Sequence, residues 1–171
     1  MKTLTRIALS TLLLLVAATA FAQDKAGQSA PDRIKLGVGF SNSEYANLLS
    51  TEYQQGLTAE LDARIFRRDR FRLGGVFQYN RANLSADTPV DTYSFGPRLS
   101  VKFGPIEPFG QALFGLTTTY NDDRAFTRTY GLGADINLGH IYLRPFALDF
   151  LKFESAPGAV QRYGAGVGVR F

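Results

Sequence analysis

Charged residues recur at alternate positions of this chain, set into otherwise apolar stretches. They are Lys35, Glu60, Asp62, Arg64, Arg72, Arg98, Lys102, Asp135, Asp149, Arg162 and Arg170. All but Arg162 have apolar residues on both sides. In extended chain this alternation puts the charges on one face and the apolar residues on the other. Four acids and seven bases gathered inside a fold must pair or hydrogen-bond, because an unpaired buried charge costs several kcal/mol. Paired, they form a structural ion network. Opened to water, the same set would line a narrow, anion-leaning passage, with a gate formed by partner exchange among Glu60, Arg64 and Arg98.

Other chemistry has little to draw on. His140 is the single histidine and cysteine is absent. Nucleophilic catalysis therefore has one candidate base, and His140 falls in a short Gly139-His140 turn. Metal hydrolysis lacks histidine ligands. Gly37/Gly39, Gly131/Gly133 and Gly164/Gly166/Gly168 lie within alternating stretches with no helix following, so they are not phosphate loops but room for long side chains. Asp122-Asp123 has no calcium-ligand spacing and reads as a solvated acidic loop. No catalytic, cofactor or metal residue is assigned, and no enzyme activity is expected.

The elements that must position the charges are strands. Their expected limits are 33–41, 56–66, 70–81, 92–103, 108–119, 126–138, 141–153 and 161–171. The last alternates most strictly, with Tyr163, Ala165, Val167, Val169 and Phe171 against Arg162, Gly164, Gly166, Gly168 and Arg170. Connections alternate in length. Residues 42–55, 82–91, 120–125 and 154–160 form the longer loops, while 67–70, 104–107 and 139–140 form short turns. Aromatic residues gather at both ends of the apolar face. Phe71, Phe103, Tyr142 and Phe171 lie at the short-turn end, and Phe40, Tyr79, Tyr93, Phe126, Tyr130 and Phe150 at the other.

The N-terminus supplies the destination. Lys2 and Arg6 precede an apolar run over 7–20, and Ala20-Phe21-Ala22 is a small-x-small cleavage site before Gln23. This is a secretory signal peptide, 1–22. A polar lead-in over 23–32 follows it. Removing Lys2 and Arg6 from 19 basic residues leaves 17 against 15 acidic ones, so charge gives no argument for nucleic acid. No stretch reaches 18 consecutive apolar residues. A membrane-crossing mature chain must therefore be a closed barrel, since open strands would leave backbone groups unpaired in hydrocarbon.

Gly96 to Gly115 (GPRLSVKFGPIEPFGQALFG) resembles the central hairpin of the bacterial outer-membrane β-barrel domain, the small OmpA-like and opacity-protein-like group. Leu143 to Phe153 and the closing strand to Phe171 are similar too. The resemblance covers 33–171. It implies an all-β, eight-stranded antiparallel up-and-down transmembrane barrel in the outer membrane, reached through the periplasm, with short turns on the periplasmic side. It implies Phe171 as the signal to the outer-membrane assembly machinery. No periplasmic peptidoglycan-binding domain follows in this sequence, so anchoring of that kind is not implied. The expected role is structural or surface-interacting, in a monomer whose lumen is plugged by the ion network; the alternative is a narrow passive pore. Arg81, Arg128 and Lys152 fall on the lipid-facing parity near the outer strand ends, where they would contact outer-leaflet lipid and lipopolysaccharide or be solvated. A soluble lipocalin-like barrel would need the opposite parity, apolar side inward.

Overall fold

The structure is a computed structural model. It describes residues 33–46, 51–82, 89–118, 124–154 and 159–171. The expected signal peptide and lead-in lie outside the described residues, as does the Asp122-Asp123 pair.

Eight strands follow one another: β1 (Ile34–Ala46), β2 (Thr51–Arg68), β3 (Phe71–Ala82), β4 (Val90–Val101), β5 (Ile106–Thr118), β6 (Arg124–Leu138), β7 (Ile141–Phe153) and β8 (Ala159–Arg170). Each pairs antiparallel with the next, and β8 returns to β1 to close the barrel. The closing register sets Lys35 opposite Arg170, Gly37 opposite Gly168 and Gly39 opposite Gly166. Closure leaves no sheet edge, the condition for crossing hydrocarbon with strands.

The faces are inverted relative to a soluble barrel. Large apolar side chains point out: Phe40 is 75% exposed, Phe95 68% and Ile65 79%. Buried inside are Lys35, Glu60, Asp62, Arg72, Arg98, Asp135, Asp149 and Arg162. The lipocalin-like alternative fails on this parity. An apolar exterior gains its stabilisation from lipid, and a polar interior is the rule for transmembrane barrels.

Three features differ from the sequence expectation. First, β1 and β2 are longer than 33–41 and 56–66. They pair from Ile34↔Ala63 up to Ala46↔Thr51, so most of the expected loop 42–55 is ladder. Asn42, Ser43, Glu44 and Tyr45 do not alternate in polarity, yet backbone hydrogen bonds do not need side-chain alternation to continue. Second, β5 begins at Ile106, which takes Glu107 out of the expected turn and into the wall. Third, Tyr142 is 2% exposed and faces inward, not outward into the aromatic belt at the short-turn end. A register shift between Arg144 and Ala147 explains it. Tyr142 and Arg144 take the inward parity below the bulge, and Ala147, Asp149 and Leu151 take it above. One extra residue flips every side chain beyond it. Pro145 sits in the bulge, where a missing N–H costs no ladder bond.

The short turns carry the left-handed residues Asp69 (φ 52°), Gly104 (φ 59°) and Gly139 (φ 64°). Glycine adopts that region freely, whereas an L side chain loses roughly 1 kcal/mol there. Gly139→Ala is expected to lower barrel stability by about 1 kcal/mol, and Asp69→Gly to leave it unchanged or raise it slightly. Urea unfolding in lipid vesicles measures both. An unaffected Gly139→Ala variant would show that this turn relaxes without strain.

Candidate functional site

The barrel interior gathers acids and bases from every strand into connected clusters. Parity alone puts them on the inner face; the stagger of a closed sheet decides which of them meet.

Glu107 of β5 is the hub nearest the short turns. Its carboxylate accepts from Arg64 Nη2 at 2.8 and 3.0 Å, Arg72 Nη1 at 3.0 Å, Ser100 Oγ at 2.8 Å and Asn137 Nδ2 at 3.0 Å. Lys35 Nζ lies 3.2 Å from it. Glu60 of β2 is the second hub. Arg98 donates to it from Nη1 and Nη2 at 2.6 Å each, and Arg144 from the same two atoms at 2.8 and 2.9 Å. Two guanidinium forks thus share one carboxylate, the strongest form of charged hydrogen bond. Asp135 joins the hubs, accepting from Lys35 Nζ at 2.7 Å and from Arg144 Nε at 2.8 Å. Asp62 contacts Arg98 Nη1 at 3.2 Å. The guanidiniums of Arg98 and Arg144 both lie over the Phe109 ring, 4.2 and 4.5 Å from its centroid. Stacking on a ring face is favourable for a desolvated guanidinium.

The third cluster lies further from the short turns. Asp149 accepts from Arg162 Nη2 at 2.7 Å and from Gln111 Nε2 at 3.1 Å, while Arg162 Nη2 also donates to Gln78 at 2.6 Å. Above it the interior turns neutral. Asn80 donates to Ser41 at 2.8 Å and Thr58 at 2.9 Å. Thr92, Thr117 and Thr127 form a hydroxyl chain at 3.0 and 2.7 Å. A cavity of about 40 Å³ touches Glu60, Gln78, Arg144, Asp149 and Arg162 on one side and Gly37, Gly39, Gly164 and Gly166 on the other. That is room for a water molecule or two among polar partners.

Of the expected interior charges, Lys35, Glu60, Asp62, Arg64, Arg72, Arg98, Asp135, Asp149 and Arg162 stand in these clusters. Lys102 and Arg170 stand at the short-turn rim. Lys102 follows the last residue of β4 and is half-buried, and Arg170 Nε donates to the Gly139 carbonyl. Glu107 and Arg144 are the central residues that sequence reasoning missed. With them, five acids face six bases among the described lumen residues, so the basic excess expected from sequence nearly vanishes. Glu107 could have been found from its parity with Gln111. Arg144 could not, because the bulge beside Pro145 inverts its face.

The three outward cations differ in their surroundings. Arg81 lies opposite Asp91 in the β3–β4 ladder, with Nε 3.9 Å from its carboxylate. Asp91 also accepts from Tyr79 Oη at 2.8 Å. Arg128 lies directly opposite Lys152. His140 is exposed in the two-residue turn between β6 and β7.

Residues 8–171 match the family of the outer membrane protein beta-barrel domain. No curated protein matches the sequence significantly. Among solved structures, Ail, the attachment invasion locus protein of Yersinia pestis, is similar over 82% of this chain and 100% of its own, at 15% identity and TM-score 0.59. Neisserial surface protein A is similar over 81% and 97%, at 13% identity and TM-score 0.57. The outer membrane enzyme PagL is similar over 80% and 99%, at 12% identity and TM-score 0.53. At such identities these likenesses speak for the fold alone.

Proposed function

The chain belongs to the outer membrane protein beta-barrel domain family, and from that premise we propose a non-enzymatic outer-membrane barrel with a structural or surface-interaction role and a lumen closed by its own ion network. The observation that carries this reading is the Glu60 hub, in which Arg98 and Arg144 converge on one carboxylate across the bore. An eight-stranded barrel is about wide enough for side chains to fill. Charges paired as they are at the Glu60 hub give up little by staying in place, and a permeating ion would have to displace charge-assisted hydrogen bonds.

The length of the first hairpin supports the surface role. A strand crosses a bilayer in roughly 9–11 residues, whereas β2 has 18 and stays paired with β1 to its upper end. The surplus carries polar residues beyond the hydrocarbon, with the short turns taken as periplasmic. Residues 42–55 and 82–91 are therefore where a binding partner is to be sought. The position of His140 in a short turn also favours a non-enzymatic reading, since no acyl-transfer triad would assemble there at the outer lipid face.

Single-channel recording in planar bilayers tests the closed lumen. The folded protein, verified by a heat-dependent gel shift, is expected to leave the membrane electrically quiet. Discrete, salt-dependent steps would overturn the reading in favour of a narrow passive pore, and Glu60, Arg64 and Arg98 would then be the first residues to substitute.

A further inference from the structure

The lipid-facing side of β6 and β7 carries a charge arrangement that the lumen does not use. Arg128 and Lys152 are exact cross-strand partners, and both are exposed on the outward face. Directly opposed residues of an antiparallel pair have Cβ atoms about 4.5–5.5 Å apart, and like charges there are destabilising. Arg81 shows the ordinary solution to the same problem, an aspartate opposite. Arg128 has only a loose acid neighbour among the described residues, Glu154 at 3.6 Å, itself 66% exposed.

Height matters as much as charge. Arg128 stands about ten residues above Leu138, the last residue of β6 at the short-turn end. At roughly 3.4 Å per residue and a tilt of about 40°, that is about 25 Å, the height of the apolar band of an outer-membrane barrel. Just below the two cations, Tyr130 and Phe150 face each other on the same outward surface. Phe114 is the partner of Arg128 on the β5 side. Two cations thus sit on an aromatic ledge where hydrocarbon gives way to head groups. A lone cation there could be solvated; an opposed pair gains most from one multivalent anion placed between them. A phosphate has the oxygens to accept an arginine fork and a lysine ammonium together.

We propose that Arg128 and Lys152 form a binding site for the phosphate group of an anionic outer-leaflet lipid, with its acyl chains against Tyr130 and Phe150. The proposal rests on the long-connection end of the barrel facing outward. It does not depend on whether the lumen conducts.

The test is native mass spectrometry of the barrel extracted in neutral detergent and supplied with bisphosphorylated lipid A, its dephosphorylated form, or inorganic phosphate. One phosphorylated lipid is expected to be retained per barrel. R128Q/K152Q should weaken retention about tenfold or more, the scale of losing charge-assisted hydrogen bonds, while R81Q should leave it unchanged. Removing the lipid phosphates should match the double variant. E154Q, which removes the competing acid and keeps both cations, should raise retention and serves if the double variant fails the gel-shift test for folding. Equal retention of the dephosphorylated lipid, or E154Q and R128Q/K152Q both behaving as wild type, would overturn the site. Saturation by inorganic phosphate with no gain from the lipid would overturn its assignment to lipid.

Discussion

Replacing Glu60 with alanine is expected to destabilise the folded barrel by about 3–5 kcal/mol, the cost of removing one partner from a buried ion pair. The upper end is favoured because one carboxylate serves two guanidiniums. Arg98 and Arg144 each give Glu60 two hydrogen bonds between 2.6 and 2.9 Å. Without it, Arg98 keeps Asp62 and Gln111, and Arg144 keeps Asp135. The two cations would then remain together beside Phe109, each having lost its two-bond contact to a shared carboxylate. Glu60→Gln keeps the shape but turns an NH₂ donor toward a guanidinium, so its loss should be smaller yet still measurable. Urea unfolding in vesicles, followed by the heat-dependent gel shift, gives both values. A loss under about 1 kcal/mol for Glu60→Ala would mean that water solvates the freed guanidiniums, and the closed-lumen reading would lose its main support. The same variant should be the first to pass current in planar bilayers.

The charges were legible because a strand has a period of two and the lumen face is polar along its whole height. Lys35, Glu60, Asp62 and Arg98 follow from that rule alone, since their strands run straight through them. The rule fails where a strand gains a residue. Beyond the bulge at Pro145, Tyr142 and Arg144 occupy the parity that Phe146 and Phe150 suggest is outward. It also fails where two local signals compete. Gly104-Pro105 announces a turn whose sequence signal extends over Glu107, although the parity of Glu107 matches that of Gln111. The height of the β1–β2 hairpin was hidden for a different reason, because outside the bilayer neither face needs to be apolar. Partner choice was never in the sequence. Lys35 and Asp135 meet across 100 residues, and only the stagger of the closed sheet brings their strands to one level.

Gly168→Val is expected to cost about 3 kcal/mol or more, at or beyond the upper range for overpacking, and to act on barrel closure. Gly168 of β8 opposes Gly37 of β1 at the closing seam. A Cβ on Gly168 would collide with the Leu36 carbonyl oxygen and with Tyr142 Cε1. A Cβ on Gly37 would collide with Tyr142 Oη. The Tyr142 ring therefore lies across the paired glycines, on a stretch of wall that has no inward side chains of its own. Its inward position depends on the β7 bulge, so bulge, tyrosine and glycine pair act as one packed unit. A double-variant cycle separates the two contacts. Tyr142→Ala should recover part of the Gly168→Val loss by removing the ring, but not the part caused by the Leu36 carbonyl, which belongs to the β1 backbone. Full recovery would mean that the seam itself is loose, and no recovery would mean that the backbone contact alone sets the cost. Folding yield into vesicles should fall with stability, because the β1–β8 pairing is what closes the sheet.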